Sequence, residues 1–441
     1  MVKIQKQLST SQIIILGFAA VILLGSLLLM LPFSAAGGRV TPFSDALFTA
    51  TSAVCVTGLI VWDTATYWSI FGQAVILMLI QVGGMGVVTV AVAIFSAAGN
   101  KISLKQRSTM QEAISAPQVG GIVRLTGFII KMTVIFELLG AAVMAPVFCG
   151  EFGIVKGLWY SIFHSVSAFC NAGFDLMGVR EPYSSLTYFS AHPIINLAVM
   201  ALIVTGGIGF LVWDDVRTNK LHVRKYKMQS KVVLTVSGLL ILFPALYFFF
   251  FEFGQAPLGE RIWNSLFQSV TTRTAGFNTA DLAVLSETGM AIMVILFLVG
   301  GSPGSTAGGM KTTTLAVLFS TAVSVFRRKE HTHFFGRRLE EETVRNAATI
   351  LTMYLTLFLA GGFVISRVEG LPLLTCLFET ASAVGTVGLT LGVTPQLGLL
   401  SRSILIVLMY LGRVGGLTLI FATISRQDNA ARLPQEKLTV G

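Results

Sequence analysis

The stretch SAVCVTG, Ser52 to Gly58, decides how this chain folds. It is a run of small residues ending in glycine. It follows an apolar segment of about a dozen residues, too short to cross a bilayer, and precedes a run long enough to do so. One such glycine reads as a tight turn. The motif returns as SAFCNAG (167–173), VTTRTAG (270–276) and SAVGTVG (382–388), ending on Gly173, Gly276 and Gly388. The four glycines are separated by 115, 103 and 112 residues, a near-constant period that marks internal repeats.

Composition says what surrounds the repeats. With 54% hydrophobic and 12% charged residues in 441, and a mean hydropathy of +0.78, the chain has more apolar surface than a soluble core encloses. Runs of about twenty apolar residues recur from end to end, so the whole chain belongs to the membrane. The first, Ile13 to Leu31, follows Lys3 and Lys6 and ends at Pro32 without a cleavage site, which reads as a membrane helix rather than a signal peptide. The net charge of +10 is not spread as a nucleic-acid face. It gathers at Lys3/Lys6, Lys101 to Arg107, Arg217 to Lys231, Arg327 to Arg345 and Arg426 to Lys437. The positive-inside rule then places both termini and three large loops in the cytoplasm. Cys55, Cys149, Cys170 and Cys376 form no CxxC pair and are expected as free thiols.

Between successive basic clusters the chain makes three apolar passages, and the middle one is too short to span. In the first excursion it is Pro42 to Val54, about 18–20 Å as helix. Its counterparts lie in 158–176, 261–281 and 371–392. The pattern predicts an all-α polytopic membrane protein of four membrane–pore–membrane repeats, with eight transmembrane helices and four re-entrant pore helices around a central pseudo-fourfold ion pore. The expected boundaries are 1–100, 101–225, 226–330 and 331–424, followed by a short cytoplasmic tail, 425–441.

Extended backbone at membrane depth survives only when buried in protein or lining an aqueous path. Four such strips therefore imply a common axis. A ring of carbonyls can replace the hydration shell of a cation, and glycine permits the conformations that aim them inward. The short helices would point their partially negative C-termini at the same axis, favouring a cation over an anion.

These residues resemble the Trk/Ktr/HKT superfamily of potassium transporters, and within it the Ktr-type membrane subunits. The likeness runs the length of the chain and rests on four glycine strips in order. It implies a K⁺ selectivity filter made of Val56-Thr57-Gly58, Asn171-Ala172-Gly173, Thr274-Ala275-Gly276 and Thr386-Val387-Gly388. With one glycine per strip where tetrameric channels have TVGYG, its selectivity is expected to be less strict. It also implies a multi-pass protein of a bacterial plasma membrane, a homodimer with one pore per protomer, and a cytoplasmic ring of a separate Ktr-type regulatory subunit that binds adenine nucleotides. No cofactor is expected in the chain itself; K⁺ permeates, and Na⁺ as an activator is left open.

The second span of the third repeat is interrupted between Gly300 and Lys311, in GGSPGSTAGGMK. Its glycines (Gly300, Gly301, Gly304, Gly308, Gly309) and Pro303 preclude a continuous helix. The near-match to a phosphate loop fails because Met310 stands between Gly309 and Lys311 and membrane spans flank it. By the resemblance, the loop 300–312 is a gate beneath the filter. Lys311 and Arg413 fall in apolar spans, where a charge is costly and functional by default. Arg413 either snorkels or pairs quietly with a carboxylate, or, as the resemblance implies, holds the loop by its carbonyls or repels permeating cations. Arg273, within the third strip, is expected to point behind the filter, with Glu379, Glu137 or Asp281 as its partner. Asn171 and Thr274 are expected to satisfy nearby backbone groups with their side chains.

The pair His331/His333 is too little for a metal site. The glycine-rich runs at 81–89, 205–215 and 412–420 are explained by close helix packing. Nothing resembles a catalytic constellation, and no enzyme is expected. Two mechanisms stay open. K⁺ flows passively through a channel-like pore, or Na⁺ or H⁺ is coupled to uptake by alternating access. The common orientation of the four repeats favours the first. The basic loops suit either a regulatory partner or anionic lipid headgroups.

Overall fold

The computed structural model describes residues 9–97, 102–114, 118–416, 418 and 422; the tail expected at 425–441 lies outside them. The described residues are mostly helical. The first repeat comprises α1 (Thr10–Leu29), the short pore helix α2 (Phe43–Val54), a single turn α3 (Thr64–Tyr67), and a second span divided into α4 (Ile70–Met85) and α5 (Val87–Ala97). The connecting helix α6 (Leu104–Ile114) leads to α7 (Ile122–Phe152), pore helix α8 (Ile154–Phe169), α9 (Pro193–Gly207) and α10 (Phe210–Asn219). The third repeat has α11 (Met228–Tyr247), continued by a π-helical turn (Phe248–Glu252), pore helix α12 (Leu258–Thr271), α13 (Glu287–Leu298) and α14 (Thr312–Phe326). A small antiparallel hairpin, β1 (His333–Phe334) with β2 (Arg337–Arg338), precedes α15 (Glu341–Glu369), pore helix α16 (Leu373–Gly385) and α17 (Leu399–Val414).

Each pore helix begins where the chain is forced to reverse. Pro42, Pro257 and Pro372 occupy the N-caps of α2, α12 and α16 in extended conformation. Gly153, at φ 80°, does so for α8. Proline presets its own φ and restricts the residue before it, so the preceding span stops and a new helix starts in another direction.

The first spans α1, α7, α11 with its π-helical turn, and α15 are each long and apolar enough to cross a membrane. They present large apolar side chains outward, such as Leu24 and Leu27 of α1, Leu138 of α7, Phe243 of α11 and Phe363 of α15. In lipid these faces need no cover. The pore helices are the reverse. Phe48, Phe163, Phe267 and Phe378 are all fully buried, three of them ten residues before a strip glycine. The four pore helices thus form the centre and the first spans face lipid.

None of the second spans is a continuous membrane-length helix. Gly86 (φ 86°) separates α4 from α5, Gly209 (φ 96°) lies at a 95° bend between α9 and α10, and Gly415 (φ 89°) ends α17. The third is opened by the loop 299–311. The packing account of the three glycine runs is therefore incomplete. Their paired glycines do pack: a Cβ on Gly83, Gly206 or Gly412 would run into the carbonyl of Val54, Phe169 or Val384, at the C-terminal ends of α2, α8 and α16. The following positive-φ glycine stops the helix at that level.

Candidate functional site: a backbone ring closed below by a loop

The four glycine strips meet. A Cβ on Gly58 would lie 2.6 Å from the Ala172 carbonyl, one on Gly173 2.8 Å from that of Ala275, and one on Gly276 2.6 Å from that of Val387. A Cβ on Gly388 would strike the Thr57 carbonyl. Each strip thus touches the next, and the fourth returns to the first: a ring in chain order.

All four strips share one backbone conformation. The glycines have φ of 93°, 69°, 81° and 91°, and the residues two before them, Val56, Asn171, Thr274 and Thr386, have φ of 50° to 64°. The residue between, Thr57, Ala172, Ala275 or Val387, does not have positive φ. Non-glycine residues seldom take this conformation, so four at one level are held there by their surroundings.

The amides point back toward the pore helices. Thr57, Ala172 and Val387 each donate to the carbonyl of a serine five residues earlier, all at 2.8 Å, and Ala275 donates to Thr271 at 2.9 Å. The N–H groups of Gly58 and Gly388 donate to the Oγ of Ser52 (3.1 Å) and Ser382 (3.0 Å). Among the described residues, no hydrogen bond ends on the carbonyl of any of the twelve strip residues. Buried carbonyls are almost always paired, so these are available to something the protein does not supply. The hydroxyls of Thr57, Thr274 and Thr386 are likewise buried without a protein partner.

Above the ring lies a cavity of about 340 Å³ lined by Gly276, Gly388, Asn278, Asp281 and Thr390. Below lies one of about 220 Å³ lined by Gly309, Lys311 and Arg413. The loop of the third repeat stands between ring and lower cavity. Its ends are tied together by Gly300 N–H to Met310 O (2.7 Å) and Thr312 N–H to Gly301 O (3.0 Å). Its middle passes under the strips. A Cβ on Gly308 would strike Thr386 Oγ1, and one on Gly309 would lie 2.8 Å from the Gly385 carbonyl. Gly301 and Gly304 contact the second repeat instead: Ser302 donates to Gly207 O (3.0 Å), and Phe210 donates to Gly304 O (2.6 Å). Thr306 donates through Oγ1 to Phe169 O (3.0 Å) or Asn171 Oδ1 (3.1 Å).

Both intramembrane cations serve this layer. Lys311 Nζ donates to Ala307 O (2.8 Å) and Gly308 O (3.2 Å), turning back on its own loop. Arg413 donates to Thr306 O and, with its other terminal nitrogen, to Gly83 O (2.5 Å) and Gly84 O (3.1 Å) at the break in the first repeat. Arg413 thus donates to a loop carbonyl and also lines the lower cavity.

The third cation departs from expectation. Arg273 is buried, and no carboxylate among the described residues lies within ion-pair distance of it. The three expected partners are engaged elsewhere. Glu379 bonds Thr390, Leu391 and Thr394, Glu137 accepts from Gln81, and Asp281 caps the turn at Ala283. Asn171 does satisfy backbone, donating to Arg273 O at 3.2 Å; Thr274 Oγ1 does not. Ser52 and Ser382 behind the strips were not foreseen as part of the site, although a serine six residues before the glycine is visible in three of the four motifs.

Comparison with known proteins agrees with this architecture. The potassium/sodium uptake protein NtpJ of Enterococcus hirae is 40% identical over all of this chain and 99% of its own length. The Ktr system potassium uptake protein B of Bacillus subtilis is 37% identical over 98% of this chain and 96% of its own. The crystal structure of the potassium transporter TrkH from Vibrio parahaemolyticus matches 96% of the chain with a TM-score of 0.74 at 20% identity, a likeness of fold. The family model described as TrkH, cation transport protein, matches residues 5–433. A pore-centred fourfold repeat, a fold shared with a solved transporter and relatives similar from end to end converge on one conclusion: this chain is a multi-pass membrane protein of the TrkH family of cation transport proteins.

Proposed function

We propose that the chain is the K⁺-translocating membrane subunit of a Ktr-type uptake system. K⁺ passes down its electrochemical gradient through the ring of Val56 to Gly58, Asn171 to Gly173, Thr274 to Gly276 and Thr386 to Gly388. The observation that carries this reading is the set of twelve buried strip carbonyls with no protein donor, flanked by a cavity on each side. Carbonyl oxygens at fixed spacing replace the water around a cation, and a membrane potential of 100 mV contributes about 2.3 kcal/mol per charge. The loop 300–312, with Gly300, Gly301, Gly304, Gly308, Gly309 and Lys311, and its holder Arg413, is the gate. Each of the four repeats, with boundaries near 100, 225 and 330, supplies one quarter of the ring.

Both termini lie in the cytoplasm, where the basic loops are. There the chain, as a homodimer, meets a nucleotide-binding regulatory ring, a reading supported by relatives that belong to named Ktr systems. Na⁺ is the candidate activator, since one relative is named for both ions. Ion-coupled alternating access is the second reading, favoured by one observation: all four second spans are broken, as carrier helices often are.

The experiment is cation flux into liposomes containing the purified protein and its Gly388→Ser variant. Passive uptake preferring K⁺ over Na⁺, weakened by the serine whose Cβ meets the Thr57 carbonyl, is the expected result. Uptake that requires a second ion gradient replaces the first reading by the second.

A further inference from the structure

Two buried side chains behind the ring occupy the same place in opposite repeats. His164 of α8 and Glu379 of α16 each stand nine residues before a strip glycine, and both are 0% exposed. Each accepts the backbone N–H of the residue three beyond that glycine: Leu176 to His164 Nε2 at 3.3 Å, and Leu391 to Glu379 Oε1 at 3.0 Å. Glu379 also accepts from Thr390 Oγ1 (2.5 Å) and Thr394 Oγ1 (2.6 Å).

The protonation of His164 follows from its other nitrogen. Nδ1 lies 2.7 Å from Tyr160 O. A carbonyl only accepts, so Nδ1 carries the proton and Nε2 is left as an acceptor. A fully buried carboxylate is costly unless donors surround it, and Glu379 has three. In the other two repeats the same position is filled by Thr49, which bonds back to Asp45 O in its own helix (2.9 Å), and by Phe267, which has no acceptor. The tie is therefore a property of strips two and four, which face each other across the ring.

Resting on the filter reading above, we propose that His164 and Glu379 are positioning residues for ion selectivity. They anchor the outer ends of two opposed strips to their pore helices and so hold the carbonyl spacing against collapse onto a smaller ion. The Glu379 charge adds to the cation-favouring field of strip four. Neither residue touches the ion.

The test is the K⁺/Na⁺ flux ratio of the full chain in liposomes. His164→Phe, which leaves the Leu176 N–H unpaired, and Glu379→Gln, which keeps one acceptor oxygen but sets an amide NH2 where the second carboxylate oxygen accepted from Thr394, are each expected to lower the ratio about tenfold, the scale of one lost buried hydrogen bond to a charged or fixed acceptor. The control Thr49→Val, at the same position in the first repeat, keeps the wild-type ratio. His164→Gln, whose amide oxygen restores an acceptor, recovers part of the loss. Should Glu379→Gln fail to fold, Thr394→Val removes a donor and leaves the carboxylate; a lowered ratio supports the proposal. Folded variants at the wild-type ratio overturn it. A wild-type protein that does not distinguish K⁺ from Na⁺ would strike instead at the filter reading.

Discussion

The guanidinium of Arg413 donates to the main-chain carbonyl of Thr306, so the last span of the fourth repeat holds the loop carried by the third. The same side chain reaches Gly83 and Gly84 in the first repeat. Removing it deletes three charge-assisted bonds, each worth about 1.5–3 kcal/mol in the buried state. Arg413→Ala is expected to raise K⁺ flux through the purified protein at least about tenfold, read with a fluorescent K⁺ indicator inside liposomes. Unchanged flux would mean that the loop does not depend on this latch.

The Thr306 hydroxyl shares its proton between Phe169 O and Asn171 Oδ1, directly under the second strip. Thr306→Val keeps the shape and loses one neutral hydrogen bond, about 1 kcal/mol. A rise in flux of about fivefold, smaller than for Arg413→Ala, is expected. The order of the two variants is the check.

Asp45 and Arg402 form an ion pair at 2.9 Å, joining the start of the first pore helix to the final span, with Trp62 Nε1 on the other carboxylate oxygen at 2.9 Å. Arg402 also reaches Pro395 O (2.8 Å). The side chains of Arg402 and Asp45 are 19% and 9% exposed, so screening is partial. Breaking one partner leaves the other without its charge, and Asp45→Ala is expected to cost about 2–3 kcal/mol. In detergent this reads as a lower melting temperature. The double variant Asp45→Leu/Arg402→Met should lose less than the single one.

Gly83→Ala and Gly412→Ala place a methyl against the carbonyls of Val54 and Val384. Overpacking at backbone, which cannot step aside, is expected to cost about 3 kcal/mol or more, seen as loss of monodisperse protein on size-exclusion chromatography. Gly127→Ala in α7 and Gly238→Ala in α11 meet nothing within 4 Å. These should leave stability unchanged or raise it by about 0.5–1 kcal/mol.

The centre of the fold was legible because its signal is repeated. Four glycines at a steady period announce four strips, and an apolar run too short to span, before each of them, announces the pore helix. The broken second spans were legible only at GGSPGSTAGG, where five glycines and a proline leave no helical alternative. At Gly86, Gly209 and Gly415 a lone positive-φ glycine sits among others that merely pack, and apolar residues on both sides let the hydropathy run straight through. The surroundings of Arg273 were not legible for another reason. Glu137, Asp281 and Glu379 lie at plausible sequence positions, but sequence does not record that each already has donors of its own. His164 drew no attention at all, since its meaning lies in a bond to Leu176, twelve residues on.

The ring is assembled from four stretches of a single gene. A pore of four identical chains changes all its corners with every substitution, and can only be square. Here one codon edits one quarter and spares the rest. Val56 and Asn171 stand where Thr274 and Thr386 stand in the other quarters, a lopsidedness that inheritance can adjust corner by corner and that no homotetramer can reach.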